Sequence, residues 1–219
     1  MTVGSGALVL DDEQSYADFG TFVARARSLD PAGAMRLQAS GSVLAAYVGV
    51  LEGRGLLGEG TVVGLRVTTL AQPATMDRTV TLAALSDRLA RAAVPGPGGS
   101  GVLLSPPPVS VSASWAAMAP PRSGWEPVGV ISTSVLTSVA RAGIAEIAQG
   151  TGPSAGAPAV NDLRQRVWGR PTTSDPAVVA GAAFAAYALG FLEPTGESTV
   201  ASHGRWTRLS SPRGHVLVR

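Results

Sequence analysis

The stretch Asp175-Pro-Ala-Val-Val-Ala-Gly-Ala-Ala-Phe-Ala-Ala-Tyr-Ala-Leu-Gly-Phe-Leu192 constrains this chain more than any other, because after its first residue it offers no polar face. A helix without a wet side must be covered all round. Asp175 is a suitable N-cap and Pro176 falls at the first helical position, where a missing N–H costs nothing. Sixteen or so uncharged residues at ~1.5 Å rise span only ~24 Å, short of a ~30 Å hydrocarbon core, so the expectation is a buried helix over 175–192 and no membrane. Gly181, Ala182, Ala185 and Ala186 would let a neighbouring element approach it closely.

The rest of the chain must supply that cover, and its patterns predict both strands and helices. Ala7–Leu10 reads as a strand ended by Asp11 and Asp12. A helix follows, with Tyr16, Phe19, Phe22, Val23 and Ala26 on one face. Met35, Leu37 and Ala39 alternate with polar residues, Val43 to Leu51 is apolar on both faces, and Val63, Leu65 and Val67 alternate again; together they predict a three-stranded antiparallel meander. A second helix capped by Thr75 would carry Leu82, Leu85 and Leu89. Residues 94–108, rich in Gly and Pro, read as a connection in which Val102–Leu104 could add an edge strand. Val109, Val111, Ala113 and Trp115 alternate with serines and predict a strand, whereas Pro120–Pro127 reads as a turn. Thr133 or Ser134 then caps a helix ending at Gly150, and Asn161 or Asp162 caps a shorter one stopped by Gly169.

The chain closes on a hairpin whose Ser211-Pro-Arg-Gly214 suits a type I turn, with Trp206 and Arg208 expected on one face with Val216 and Val218. The fold class is therefore α+β: an antiparallel β-sheet with helices packed on it, the apolar helix 175–192 at the centre and a C-terminal β-hairpin. Residues 1–93 make one lobe, 94–108 the connection and 109–219 a second lobe expected to share its core with the first.

Composition narrows function mostly by exclusion. All 17 residues counted as Lys plus Arg are Arg, which with abundant Ala, Gly and Val resembles the codon bias of a high-GC bacterial genome. Net charge is only +2, so bulk electrostatics disfavour a nucleic-acid or anionic-membrane partner. Zero cysteines remove disulfides, thiolate nucleophiles and Cys-based metal sites, and the two histidines, His203 and His215, lack an evident third ligand, so neither metal nor cofactor is expected. Met1 to Asp11 has no basic residue and no long apolar core, which argues against a secretory signal and for the cytoplasm.

Three patterns match functional motifs and fail on context. Gly53-Arg-Gly-Leu-Leu-Gly58 spells a dinucleotide-binding turn, but a strand rather than a phosphate-holding helix is expected after it. Gly152-Pro-Ser-Ala-Gly156 spells a hydrolase elbow, yet Ser154 sits in a loop of small residues with no strand before it. The last third has the helix and hairpin order of a winged-helix domain, and Arg205, Arg208 and Arg213 on the hairpin could contact anions, but helix 175–192 presents nothing to read base edges.

What is left is a weak ligand-cleft signature, Trp125 with Glu126 and Trp168 with Arg170, aromatic and charged residues at element ends. Because nucleophiles and general bases are scarce, the favoured function is a non-enzymatic binding or assembly role, as a homo-oligomer or with another protein. The alternative is a small-ligand protein or enzyme using those Arg and carboxylate groups, and a further alternative is winged-helix-like nucleic-acid binding through the basic C-terminal hairpin.

Overall fold

The computed structural model describes residues 6–53, 55, 58–91, 93–151 and 156–219. It is an α+β fold of five helices and nine antiparallel strands ending in a β-hairpin. The strands are β1 (Leu8–Leu10), β2 (Ala34–Leu51), β3 (Val62–Thr81), β4 (Val94–Pro95), β5 (Val102–Leu104), β6 (Glu126–Ser132), β7 (Glu197–His203), β8 (Trp206–Ser211) and β9 (Gly214–Val218). The helices are α1 (Glu13–Leu29), α2 (Leu82–Leu89), α3 (Thr133–Gly150), α4 (Ala157–Gly169) and α5 (Ala180–Ala188). Hydrogen bonding orders the strands β4-β5-β1-β3-β9-β8-β7-β6, with β2 also on β3. The chain forms two compact units, residues 1–50 with 65–118 and residues 51–64 with 119–219.

In the first unit Asp12 caps α1 by accepting from the Ser15 N–H at 2.7 Å, and this bond holds its carboxyl below the usual carboxylate range. Phe19, Phe22, Val23 and Ala26 form the buried stripe of α1, which packs on α2 and β1. The expected meander is two strands rather than three: 34–51 is one continuous run, passing through Gly41 at φ 60°, and β3 extends to Thr81. Thr81, not Thr75, therefore caps α2. Segment 94–108 contributes β4 and β5, and β5 lies between β4 and β1, not at an edge.

The predicted strand 109–115 does not form. Three prolines precede it, Val109 is 71% exposed, and a short 3-10 turn over Ser114–Ala117 replaces its end. Its alternation is satisfied by one anchor, Trp115, whose ring fills the space where a side chain on Gly49 would be.

In the second unit α3, α4 and α5 pack on one another, and α3 and α5 lie against the β6-β7-β8-β9 sheet. Gly129, Ile131, Ser198, Val200, Leu209 and Val216 are register partners or alternate with them, so they share the face under the helices. Helix α5 is the buried centre, with every residue from Ala180 to Ala186 inaccessible, but it is shorter than 175–192. Its N-cap is Val179, because residues 171–179 fold into a tight loop first: Thr172 N–H bonds the Val178 carbonyl, and Val178 N–H bonds Thr172 Oγ1. The Asp175–Pro176 peptide in that loop is cis, and Pro176 covers Gly129 of β6.

Ser132, one residue before the expected positions, caps α3, and Gly156 with Pro158 starts α4 ahead of Asn161. The hairpin turns at Ser211–Gly214 as expected, but its strands continue through β7 to β6 in one antiparallel ladder. Its register pairs Arg208 with Leu217 and Leu209 with Val216, which puts Trp206 and Arg208 on the face opposite to Val216 and Val218. Among the described residues no helix is long and apolar enough to cross a membrane.

Candidate functional site

The two halves of the expected cleft belong to different surroundings. Trp168, near the end of α4, is a packing residue: 3% exposed, stacked on Phe184 of α5 at 4.4 Å between ring centres, with its ring edge over Gly143 of α3. Arg170 makes two parallel bonds of 2.7 Å to the Glu146 carboxylate. That pairing holds Glu146 below and Arg170 above their ordinary ranges, and it satisfies the guanidinium fork from α3. A shallow open depression of about 290 Å³ lies beside it, lined by Gln165, Arg166, Gly169 and Arg170.

Trp125 stands at the entry to β6 on the opposite, outer face of the second unit's sheet. Its indole N–H donates to the Pro121 carbonyl at 3.1 Å, which fixes the ring. The Arg208 guanidinium lies 4.6 Å from the centre of that ring, and His203 lies 6.0 Å from it. His203 Nδ1 bonds the Gly124 carbonyl at 2.7 Å, and Gly124 needs its φ of +76° to present that oxygen. Glu126 pairs with Ser202 across the ladder and so faces the other side of the sheet from Arg208.

The three hairpin arginines have different roles. Arg213 is 3.7 Å from Glu193, Arg205 is exposed in the β7–β8 turn, and Arg208 is the one held against a tryptophan. A second pair of the same kind, Arg219 over Trp206 at 5.8 Å, lies on the same face. His215 also faces outward, bonded to Ser210 Oγ at 2.9 Å, and burial followed by the nearby Arg208 charge lowers its pKa from 6.5. The two histidines thus flank Arg208 and do not converge on an ion, and among the described residues no group of three metal-ligating side chains exists.

Sequence reasoning missed this cluster because it placed Arg208 on the wrong face of the hairpin. Counting a two-residue turn at Pro212-Arg213 and pairing outward gives the correct neighbours. Of the rejected motifs, Ser154 lies outside the described residues, as do Arg54, Leu56 and Leu57. Thr61 Oγ1 bonds the Gly58 carbonyl at 2.7 Å and β3 begins at Val62, so a strand does follow the glycine-rich turn.

The structure is similar to a sliding clamp (DNA polymerase III subunit beta) from Bartonella birtlesii bound to griselimycin, with a TM-score of 0.56 and 12% identity over 97% of this chain and 64% of that one. It is likewise similar to the DNA polymerase sliding clamp from Caulobacter crescentus, with a TM-score of 0.50 and 10% identity over 98% of this chain and 65% of that one. The chain therefore spans less than two thirds of either clamp chain, and the likeness is one of fold. Residues 4–116 match the family described as Domain of unknown function (DUF8010), and the chain belongs to it. Residues 120–219 match a second description, Domain of unknown function (DUF8185). No curated protein matches the sequence.

Proposed function

We propose that this protein is a non-enzymatic assembly protein that works by self-association, with β6 as the joining edge. The observation that carries the reading is the fold likeness to a sliding clamp over 97% of the chain, which supports a scaffold built from sheet-and-helix units. Strand β6 supplies a surface for it. It ends the hydrogen-bonded order and among the described residues pairs with β7 alone, which leaves one row of its backbone donors and acceptors for another chain. Val128 and Val130 on it are 51% and 46% exposed, and no Lys guards the edge. The other end of the order, β4, is two residues long and includes Pro95, which cannot donate.

Amide hydrogen exchange at two protein concentrations tests the edge directly. Self-association through β6 predicts that amides of Val128–Ser132 exchange more slowly at high concentration while the exposed α4 amides are unchanged. Uniform exchange along β6 at both concentrations would dismiss β6 as the joining edge.

A further inference from the structure

We propose that the outer face of the second unit's sheet carries a binding site for a phosphate ester, anchored by Arg208 and framed by Trp125, His203, His215 and Arg219. The inference is independent of self-association through β6.

The register of the sheet defines the in-sheet neighbours of Arg208 on this face. Its cross-strand partners are Ala201 and Leu217, and its diagonal neighbours are Thr199 and His203 on β7 and His215 and Arg219 along β9. Trp206 and Ser210 flank it on its own strand. Three of these eight neighbours are basic or can become so, and none is acidic. The nearest carboxylate that β7 directs to this face is Glu197, four residues from Ala201 and therefore roughly 13 Å along the strand. Glu126 faces away, and Glu193 lies beside Arg213.

Arg208 is consequently a half-buried cation with no carboxylate partner among the described residues. Its Nε is buried and makes no hydrogen bond, and the indole of Trp125 lies against the guanidinium. A guanidinium stripped of water along one edge and left without a counter-charge is an unusual arrangement, since buried charges are normally paired. The indole quadrupole offsets part of the charge and holds the plane in place, so the terminal N–H groups are pre-set for two parallel bonds to an oxyanion. The Gly124 carbonyl engages His203 Nδ1, which leaves Nε2 of that ring available. Arg219, over Trp206 on the same face, adds a second guanidinium at the rim.

Two arginines on one face, Arg208 and Arg219, with no carboxylate directed beside them by the neighbouring strands favour a doubly charged, three-acceptor group over a carboxylate, which carries one charge. The site thus suits a terminal phosphate, either free or as a monoester on a small molecule. Arg213, on the same hairpin but beside Glu193, provides the internal control.

The test is a titration of the full chain with inorganic phosphate at fixed ionic strength, following the indole N–H signal of Trp125 and the imidazole signals of His203 and His215. Saturable shifts at these three residues are expected, with affinity weakened about tenfold or more in Arg208→Gln and unchanged in Arg213→Gln. Arg208→Lys, which keeps the charge but not the paired donors, should weaken binding by several-fold if Arg208→Gln fails to fold. Phenyl phosphate in place of inorganic phosphate separates the ester from the free ion, and binding of either supports the site. Absence of saturable shifts, equal affinity in Arg208→Gln and Arg213→Gln, unchanged affinity in Arg208→Lys, or acetate binding as tightly as phosphate would each overturn the proposal. So would a single-stranded oligonucleotide lacking a terminal phosphate that binds more tightly than phosphate, since the ligand would then be a nucleic-acid strand.

Discussion

Gly143 of α3 faces Trp168 of α4, and any side chain there would run into the six-membered ring of Trp168. Alanine would raise local helix propensity by about 1 kcal/mol, but moving a buried indole that is itself stacked on Phe184 outweighs that gain. Gly143→Ala is therefore expected to destabilise the protein by about 1–3 kcal/mol, read as a lower urea midpoint. His215 makes the second residue-scale prediction. Its folded pKa lies below the ordinary imidazole value of 6.5, so on acidification the unfolded chain takes up a proton before the folded chain does. Stability from this residue is complete above about pH 6.5 and falls as pH drops towards the lowered folded value. Urea unfolding at pH 7.5 and 5.5 should show a smaller loss for His215→Gln than for the native chain; equal losses would mean that His215 titrates normally.

At the scale of elements, helix α5 shows both what sequence conveys and where it stops. Uniform apolarity identified Ala180–Ala186 as buried, and each of these residues is inaccessible. The boundaries were misread because Asp175 and Pro176 look like a helix start in isolation, while the actual loop depends on Thr172, a partner six residues from Val178. Ala182→Leu or Ala186→Leu should overpack this core by ~1–3 kcal/mol, and unchanged melting temperatures in both would contradict its burial. Strands were legible where alternation met a partner, as in Met35–Ala39, and misleading where it did not, as in Val109–Trp115. Strand β6 was hidden because Pro120–Pro127 reads as a turn; the ladder accommodates Pro127 with an irregularity between it and Gly129. Strand β7, Glu197–His203, was missed for a related reason: its outward residues are Glu, Thr, Ala and His, and its inward face holds a single large apolar side chain, Val200. The Arg208 cluster followed from these two errors, because a face of a sheet cannot be read before its strands and register are known.

For the whole molecule, fold class was within reach of the sequence and function was not. Binary patterning and the absence of Cys and Lys settle an α+β chain without thiol or amine chemistry, but a role in assembly depends on which strand is left at an edge. The proposed joining edge is β6, where Val130 projects from the regular part of the strand on the face opposite to the helices. Val130→Lys introduces the kind of charge that keeps edge strands apart and should leave the fold intact, since the side chain is 46% exposed. Sedimentation velocity from about 1 to 100 μM is the most direct measurement, a range in which a modest edge-to-edge interface would become populated. The account predicts a sedimentation coefficient that rises with concentration for the native chain and stays at the monomer value for Val130→Lys. A native chain that remains monomeric throughout, or a Val130→Lys variant that associates equally well, would contradict it.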